Sequence, residues 1–523
     1  MFLFEDINTF LSFDILIYVV ILPVIAGLLV GTLRKLGLGN RWHGPPDVIL
    51  SAHSNKEKLN IKSGFLASFS AIVSISAGGS VGQYGPLVHF GATIGANIKN
   101  FFTSVGDYQV FLGAGVAAAI SAGFGAPIAG LIFSREVILR HQSLASFAPI
   151  LVSSIVAYLI SKFFFGINSI LATNIGGISD IKEFPALVLT GIIAGLISVI
   201  YMNGLTHKKF FPNINFIPSH FQPATAALIC SFVALFIPEA TGLGTDTIKN
   251  LLSASILWQD AFVFLLAKLI LTVICIRMGL VGGVFAPALF LGACTGVLLG
   301  VFIKTILPET NIILYAVSAM AAVGSCVIGG PVANMMIIFE LTQDYQATLA
   351  AGISIVFASI ISFKLIGQSV FDKVLLNRKI DLKIGRDHLF LMEKKVGEIM
   401  QKKSCNIIGD LQITSAINKM IKEDFSESYH LDKYGKLMNK FELTYLLTLK
   451  STKKISALPK KKFLIVKTNE SILEAIEKCK DFVGESIPIV DENMILKGII
   501  TESDLFKSFL ETSESVHKLE VKD

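Results

Sequence analysis

Up to residue 378 the chain runs through apolar stretches separated by short breaks rich in glycine and proline, and beyond residue 394 it changes to alternating apolar and charged positions. The runs at 14–33 (DILIYVVILPVIAGLLVGTL) and 351–367 (AGISIVFASIISFKLIG) approach or reach the roughly 20 apolar residues with which a helix spans a bilayer. The first lacks a basic leader and a small-residue cleavage site, so it reads as a retained helix. Other apolar runs are shorter and cut by Gly or Pro, which predicts helices that stop part-way. In the last part, KFLIVKT (462–468) and SIPIVDENMILKGIITESDL (486–505) read as short β-branched strands, and SILEAIEKCKDF (471–482) as an amphipathic helix. The expected division is a membrane domain at 1–378 in two halves of about 1–180 and 181–378, a linker at 379–394, α/β modules at 395–452 and 453–515, and a tail at 516–523.

Composition narrows the class. Of 523 residues, 53% are hydrophobic and 16% charged, against about 25% charged in a soluble domain, so the first part is an all-α polytopic membrane domain. The net charge of +6 resides mostly in loops and in the last part, as in KKISALPKKK (453–462). That run is short and without aromatic residues, so it reads as a solvated face and not as a nucleic-acid surface. Arg378, Lys379 and Lys383 at the junction put the α/β modules on the cytoplasmic side. The six cysteines are scattered without a CxxC pair, which leaves no disulfide framework or metal site to expect. No nucleophile–base pairing or phosphate loop points to an enzyme, and no required cofactor is expected.

Self-comparison reveals a duplication. GQYGP (82–86) has its counterpart in GVFAP (283–287), and AAISAGFGAPIAGLIFSREV (118–137) in AAVGSCVIGGPVANMMIIFEL (321–341). Pro86 and Pro287 are 201 residues apart, while Pro127 and Pro331, like Glu136 and Glu340, are 204 apart. Repeats with broken helices are a way of building a transport site at mid-membrane. A helix starting at such a break leaves its first N–H groups unpaired and carries about half a positive charge, a site for an anion without a lysine that would hold the ion too tightly. Two such ends, at Gly82–Pro86 and Gly283–Pro287, with a third at HGPPD (43–47), are expected to converge on one anion. Close helix packing through small residues is the competing reading of these glycines.

In order along the chain, HGPPD, GQYGP, GAPIAGLIFSREV (125–137), GGVFAP (282–287), IGGPVANMMIIFELTQDYQ (328–346) and GQSVFDKVLL (367–376) resemble the CLC family of chloride channels and proton/chloride antiporters. The resemblance implies two inverted halves, a homodimer with one anion pathway per subunit, and a cytoplasmic pair of cystathionine-β-synthase (CBS) modules, the first of them degenerate. It also implies an anion site built from Gly82, Gln83, Tyr84 and Gly85, from Gly283, Val284 and Phe285, and from His43, Gly44 and Phe371. Tyr84 stands where the family carries a gating glutamate. His43 replaces a central serine, Phe371 a tyrosine, and Phe163 falls near an internal proton-relay glutamate of the antiporters. Glu136 and Glu340, as buried carboxylates in a membrane, are functional candidates, but their matched placement favours a shared architectural role. In the second CBS module, Thr501 and Asp504 match residues that contact a nucleotide ribose, which would admit an adenine nucleotide, although the same pair could simply cap a helix.

Three functions compete: a passive, uncoupled chloride channel gated at Tyr84, a proton/chloride antiporter using other groups such as His43 or Tyr84, and a non-conducting membrane sensor signalling through its CBS tail. The first is expected, because a phenol with an ordinary pKa of about 10 neither competes with chloride nor carries protons readily near neutral pH. The expected partners are a monovalent anion, the lipid bilayer and a second copy of the chain, in a bacterial plasma membrane.

Overall fold

The helices of the first part come in pairs about 200 residues apart. Leu22–Leu33 matches Gln222–Ala234, Pro45–His53 matches Thr245–Leu252, and Ile61–Ser76 matches Trp258–Arg277. The series continues with Tyr84–Phe101 and Phe285–Ile306, Tyr108–Phe124 and Ile312–Ile328, Pro127–Phe133 and Pro331–Thr342, and Leu144–Phe165 and Tyr345–Leu365. The computed structural model describes residues 17–39, 42–54, 57–102, 107–140, 144–166, 175, 177–178, 180–207, 217–253, 256–449, 453–459 and 462–521. Residues 14–16 of the first apolar run, 460–461 of the basic run and 450–452 at the expected module boundary lie outside them.

The breaks repeat down to the backbone. Gly125 and Gly329 end their helices at φ 68° and 75°, the left-handed conformation that glycine adopts without steric cost. The next residues, Ala126 (φ −130°, ψ 83°) and Gly330 (φ −131°, ψ 80°), turn the chain into Pro127 and Pro331. Proline suits that first helical position because its missing N–H would have been unpaired there anyway.

Matched elements also pack on each other: Leu22–Leu33 on Gln222–Ala234, and Pro127–Phe133 on Pro331–Thr342. Glu136 accepts hydrogen bonds from the N–H groups of Val332 (3.1 Å) and Ala333 (2.7 Å), and Glu340 accepts from Ile128 (2.9 Å) and Ala129 (2.7 Å). Each carboxylate therefore caps the helix N-terminus of the opposite half. Such an exchange, in which i contacts j and i′ contacts j′, is the signature of an approximate two-fold axis. Hydrogen bonds to a charged group are worth about 1.5–3 kcal/mol, so the two glutamates hold the halves together.

Among the described residues six helices are long and apolar enough to cross a membrane: Val19–Leu38, Leu144–Phe165, Glu183–Thr206, Trp258–Arg277, Phe285–Ile306 and Tyr345–Asn377. Phe285–Ile306 is mostly enclosed by the protein, whereas most residues of the other five are at least partly exposed. The first unit is thus an integral multi-pass membrane domain in which Phe285–Ile306 and the shorter helix Ile312–Ile328 are enclosed by protein.

The second unit is formed mainly by the chain from Leu382 onward. It holds two three-stranded sheets of identical plan: β1 (Asn406–Ile408) parallel to β2 (Glu427–Leu431), which is antiparallel to β3 (Leu437–Glu442), and β4 (Val466–Lys467) parallel to β5 (Ile487–Val490), antiparallel to β6 (Leu496–Ile500). A helix, Ile413–Glu423 or Ile472–Lys478, makes each parallel crossover. Two boundaries read from the sequence are corrected. The stretch 379–394 is no open linker, because it carries the helix Arg386–Glu393, whose Leu391 is buried in the second module's core with Val466, Ile472 and Ile487. Val396, placed in the first module by a boundary at 395, belongs to that same core. Nor does a separate tail start at 516, since the helix Glu502–Val521 runs through it and buries Val516.

Candidate functional site

The two Gly-Pro breaks at 82–86 and 283–287 meet. Gly82 N–H donates to the Gly283 carbonyl at 2.7 Å and Gly283 N–H to the Gly82 carbonyl at 2.6 Å, an antiparallel bridge between equivalent residues of the two halves. A Cβ on Gly283 would lie 2.6 Å from the Gly85 nitrogen, and one on Gly85 would lie 2.9 Å from the Gly283 Cα. Only glycine permits this approach. Helices Tyr84–Phe101 and Phe285–Ile306 start immediately beyond, so the N–H groups of Tyr84 and Gly85, and of Phe285 and Ala286, have no intrahelical acceptor.

These ends border a small cavity of about 10 Å³, room for about one water-sized sphere. Of the anion-site candidates, Tyr84, Gly85, Val284, Phe285 and Phe371 line it, together with Trp42, Pro45 and apolar neighbours that include Ile328 and Phe133. Among its lining residues there is no carboxylate and no basic side chain.

Tyr84 closes this space as part of an aromatic cluster. Its ring stacks on Phe124 at 3.6 Å between centroids and 10° between planes, and Phe285 stands edge-on to both rings at 6.1 and 5.7 Å. The Tyr84 hydroxyl donates to the Gly123 carbonyl at 3.4 Å, so it is spent on backbone. The ring is 4% exposed.

The structure commits or places several expected ligands elsewhere. Gly82 and Gly283 spend their N–H groups on each other, so they brace the site and those two donors are already paired. Gln83 is the residue before the helix and lies outside the cavity lining. The third helix end is not a donor fan: Pro45 and Pro46 have no N–H, and the N–H groups of Asp47 and Val48 both return to the Gly44 carbonyl. Neither His43 nor Gly44 lines the cavity. His43 is turned the other way, with Nε2 2.7 Å from the Leu38 carbonyl and Nδ1 3.1 Å from Asp47 Oδ2. Phe163 is 77% exposed near the end of Leu144–Phe165.

Two positioning groups were not singled out from the sequence. Tyr201 donates its hydroxyl to the Val284 carbonyl at 3.1 Å, fixing the peptide whose N–H belongs to Phe285. Trp42 Nε1–H donates to the Gly282 carbonyl at 2.9 Å, tying the loop before Pro45 to the second break. Neither bond has a local sequence signal, since the partners are 83 and 240 residues apart.

In the second unit, Thr501 and Asp504 are engaged with each other. The Thr501 N–H and hydroxyl donate to Asp504 Oδ2 at 3.0 and 2.8 Å, and the Asp504 N–H donates to the Thr501 hydroxyl oxygen at 3.1 Å. Gln401 Nε2 reaches both carboxylate oxygens at 2.8 and 3.0 Å. Burial alone would raise the Asp504 pKa, but the bonds from Thr501 and Gln401 together outweigh it and hold the carboxyl below its ordinary value.

A family model described as voltage gated chloride channel matches residues 24–363, and a CBS domain model matches residues 455–511. A ClcB-like chloride channel protein of Ralstonia nicotianae is 27% identical over 371 residues, 69% of this chain and 86% of the relative. The voltage-gated ClC-type chloride channel ClcB of Escherichia coli is 27% identical over 357 residues, 67% of this chain and 85% of the relative. Among solved structures, a slow cyanobacterial Cl⁻/H⁺ antiporter aligns with a TM-score of 0.65 at 19% identity, covering 72% of this chain and 89% of its own. A eukaryotic CLC transporter aligns at 0.57 and 19% identity over 92% of this chain and 89% of its own, so the likeness in fold extends into the second unit.

Proposed function

The chain belongs to the voltage-gated chloride channel (CLC) family, and from that premise we propose that it conducts chloride passively, without proton exchange, through a separate pathway in each subunit of a homodimer. The observation that carries this reading is the composition of the constriction. Its donors are backbone N–H groups at two helix starts, and its lining holds no carboxylate to take up and release a proton. Unpaired amides and helix dipoles attract a dehydrated anion without fixing it as a lysine would. Tyr84 keeps its proton near neutral pH. Its ring acts as a hydrophobic gate, and conduction requires the ring to leave its stack on Phe124.

A second reading, coupled exchange of chloride for protons, draws support from the relatives in fold, since the cyanobacterial structure is titled a Cl⁻/H⁺ antiporter and another neighbour, at TM-score 0.54, a fluoride/proton antiporter. It would need a proton route through groups other than Tyr84, and His43, Asp47 and His89 form a titratable cluster close to the constriction loop. In the second unit, the mutual bonding of Thr501, Asp504 and Gln401 favours a structural role, and binding of an adenine nucleotide would have to displace Gln401 from the carboxylate.

The test is reconstitution of the full chain in chloride-loaded liposomes, with chloride efflux and external pH recorded together. Efflux on adding valinomycin without proton uptake supports the channel. Proton uptake in fixed ratio to chloride contradicts it in favour of exchange, and absence of any flux contradicts both in favour of a non-conducting sensor.

A further inference from the structure

A second and larger cavity of the membrane unit, about 360 Å³, is lined by His43, Asp47, His89, Arg378, Lys58 and Asn60 among others. One ring nitrogen from each histidine and one oxygen of Asp47 lie within 4.8 Å of one another. The Leu38 carbonyl can only accept, so the 2.7 Å contact with His43 Nε2 puts a proton on that nitrogen. In the neutral ring, Nδ1 then presents its lone pair to Asp47 Oδ2 at 3.1 Å. Two electron-rich atoms at that distance call for a cation, either a proton on Nδ1 or a metal ion shared by both.

His89 distinguishes these choices. It sits on Tyr84–Phe101, is 1% exposed, lines the same cavity, and its Nδ1 has no hydrogen-bond partner. A proton between His43 and Asp47 leaves that nitrogen unsatisfied, whereas a metal ion drawing on all three residues can use a histidine at this position. We propose that His43, Asp47 and His89 bind a divalent transition-metal ion of the zinc class, with the remaining coordination position open to the cavity.

The surroundings suit that chemistry. A metal-binding imidazole commonly donates its other N–H to a backbone carbonyl, which fixes the ring and its tautomer, as Leu38 does for His43. Two imidazoles and one carboxylate with an open position are a zinc donor set, and metal–ligand bonds of about 2.0–2.1 Å in a tetrahedron put neighbouring ligand atoms about 3.3 Å apart, close to the observed Nδ1–Oδ2 separation of 3.1 Å. The other oxygen of Asp47 is held by Arg378, which fixes the carboxylate and offsets its charge. Two nitrogen donors disfavour the oxygen-seeking Ca²⁺ and Mg²⁺. Because His43 and Asp47 flank Pro45 and follow Trp42, two residues of the constriction, the bound ion would pin this loop and slow chloride flux. That consequence rests on the conduction proposed above; the binding itself does not.

The test uses chelator-treated, purified full-length protein titrated with Zn²⁺ by calorimetry and with Co²⁺ by visible absorbance. The expected result is one ion per chain at micromolar or tighter affinity, with affinity at least tenfold weaker in His89→Gln and unchanged in His430→Gln, a histidine of the second unit. Wild-type protein that binds no ion, or His89→Gln protein that binds as wild type, overturns the proposal. If His89→Gln does not elute as folded protein, X-ray absorption of the wild-type zinc form decides: imidazole and oxygen ligands support the site, and sulfur ligands overturn it. Failure here leaves the liposome result untouched, since flux without metal is measured in the presence of chelator.

Discussion

Neighbouring residues at the entry to the helix Pro45–His53 face two unlike cavities. Trp42 and Pro45 line the small cavity beside Tyr84 and Phe285, while His43 and Asp47 line the large one with His89 and Arg378. The first offers an anion backbone donors between aromatic and aliphatic walls. The second is dense in groups that titrate or carry charge. The division teaches that a chain can keep ionisable chemistry out of its ion path while leaving it one residue away, where it can act on the path through the loop. A fixed charge in the constriction would bind the anion or change with pH; displaced by a residue, it does neither directly.

The comparison can be broken most severely at Gly283, where a methyl group would meet the Gly85 nitrogen at 2.6 Å. Gly283→Ala is expected to separate the two breaks and abolish flux, with loss of folded protein on size-exclusion chromatography, whereas Gly352→Ala, with no neighbour inside 3.4 Å, elutes and conducts normally. Opening the small cavity is the next largest change. Tyr84→Ala removes the ring stacked on Phe124 and should raise the rate of chloride efflux about tenfold or more, the equivalent of at least about 1.4 kcal/mol off the barrier, still without proton uptake. The symmetric frame supplies a sharper test. Glu136→Gln and Glu340→Gln each weaken two bonds at the opposite half's helix start, so each should cost about 1–3 kcal/mol, and the two melting temperatures should fall by similar amounts.

Smaller effects separate positioning from lining. Tyr201→Phe removes only the bond to the Val284 carbonyl and is expected to cost about 1 kcal/mol of chloride binding, read as a several-fold rise in the chloride concentration for half-maximal flux. In the second unit, Asp504 is held below its ordinary pKa. Its contribution to stability is present above the unfolded value of about 3.9 and is lost as pH falls through the lower folded value. The protection of amides at the start of the helix Glu502–Val521, taken relative to the intrinsic exchange rate at each pH, should therefore fall below about pH 4, and Asp504→Asn should remove that acid dependence.

Much of this frame is legible in the sequence because it is local or periodic. Pro86 and Pro287, Pro127 and Pro331, and Glu136 and Glu340 announce the repeat by spacing, and the Gly-Pro breaks announce helix starts. What is not legible is long-range exchange: nothing around Gly82 says that its N–H is committed to Gly283, or that Tyr201 braces Val284. Other features carried signals that outweigh a family parallel. Two prolines in HGPPD already remove the donors expected of that helix end, and Asp47, four residues after His43 on the same turn, already competes for the imidazole. Phe163, Phe164 and Phe165 are all at least 76% exposed, and three consecutive phenylalanines at a helix end suit a lipid-facing surface better than an internal relay. The segment before residue 455 is not part of the CBS domain match, yet its β1–β3 sheet has the same order and strand directions as β4–β6.

The central claim is that the path beside Tyr84 moves chloride and no protons. Its most direct test is the reversal potential of the current through the reconstituted full-length chain in planar bilayers, with a fixed chloride gradient and a pH gradient then imposed. A passive channel reverses at the chloride equilibrium potential whatever the pH difference. A reversal potential that moves systematically with the pH gradient contradicts the account and requires a proton route in a pathway whose constriction contains no carboxylate.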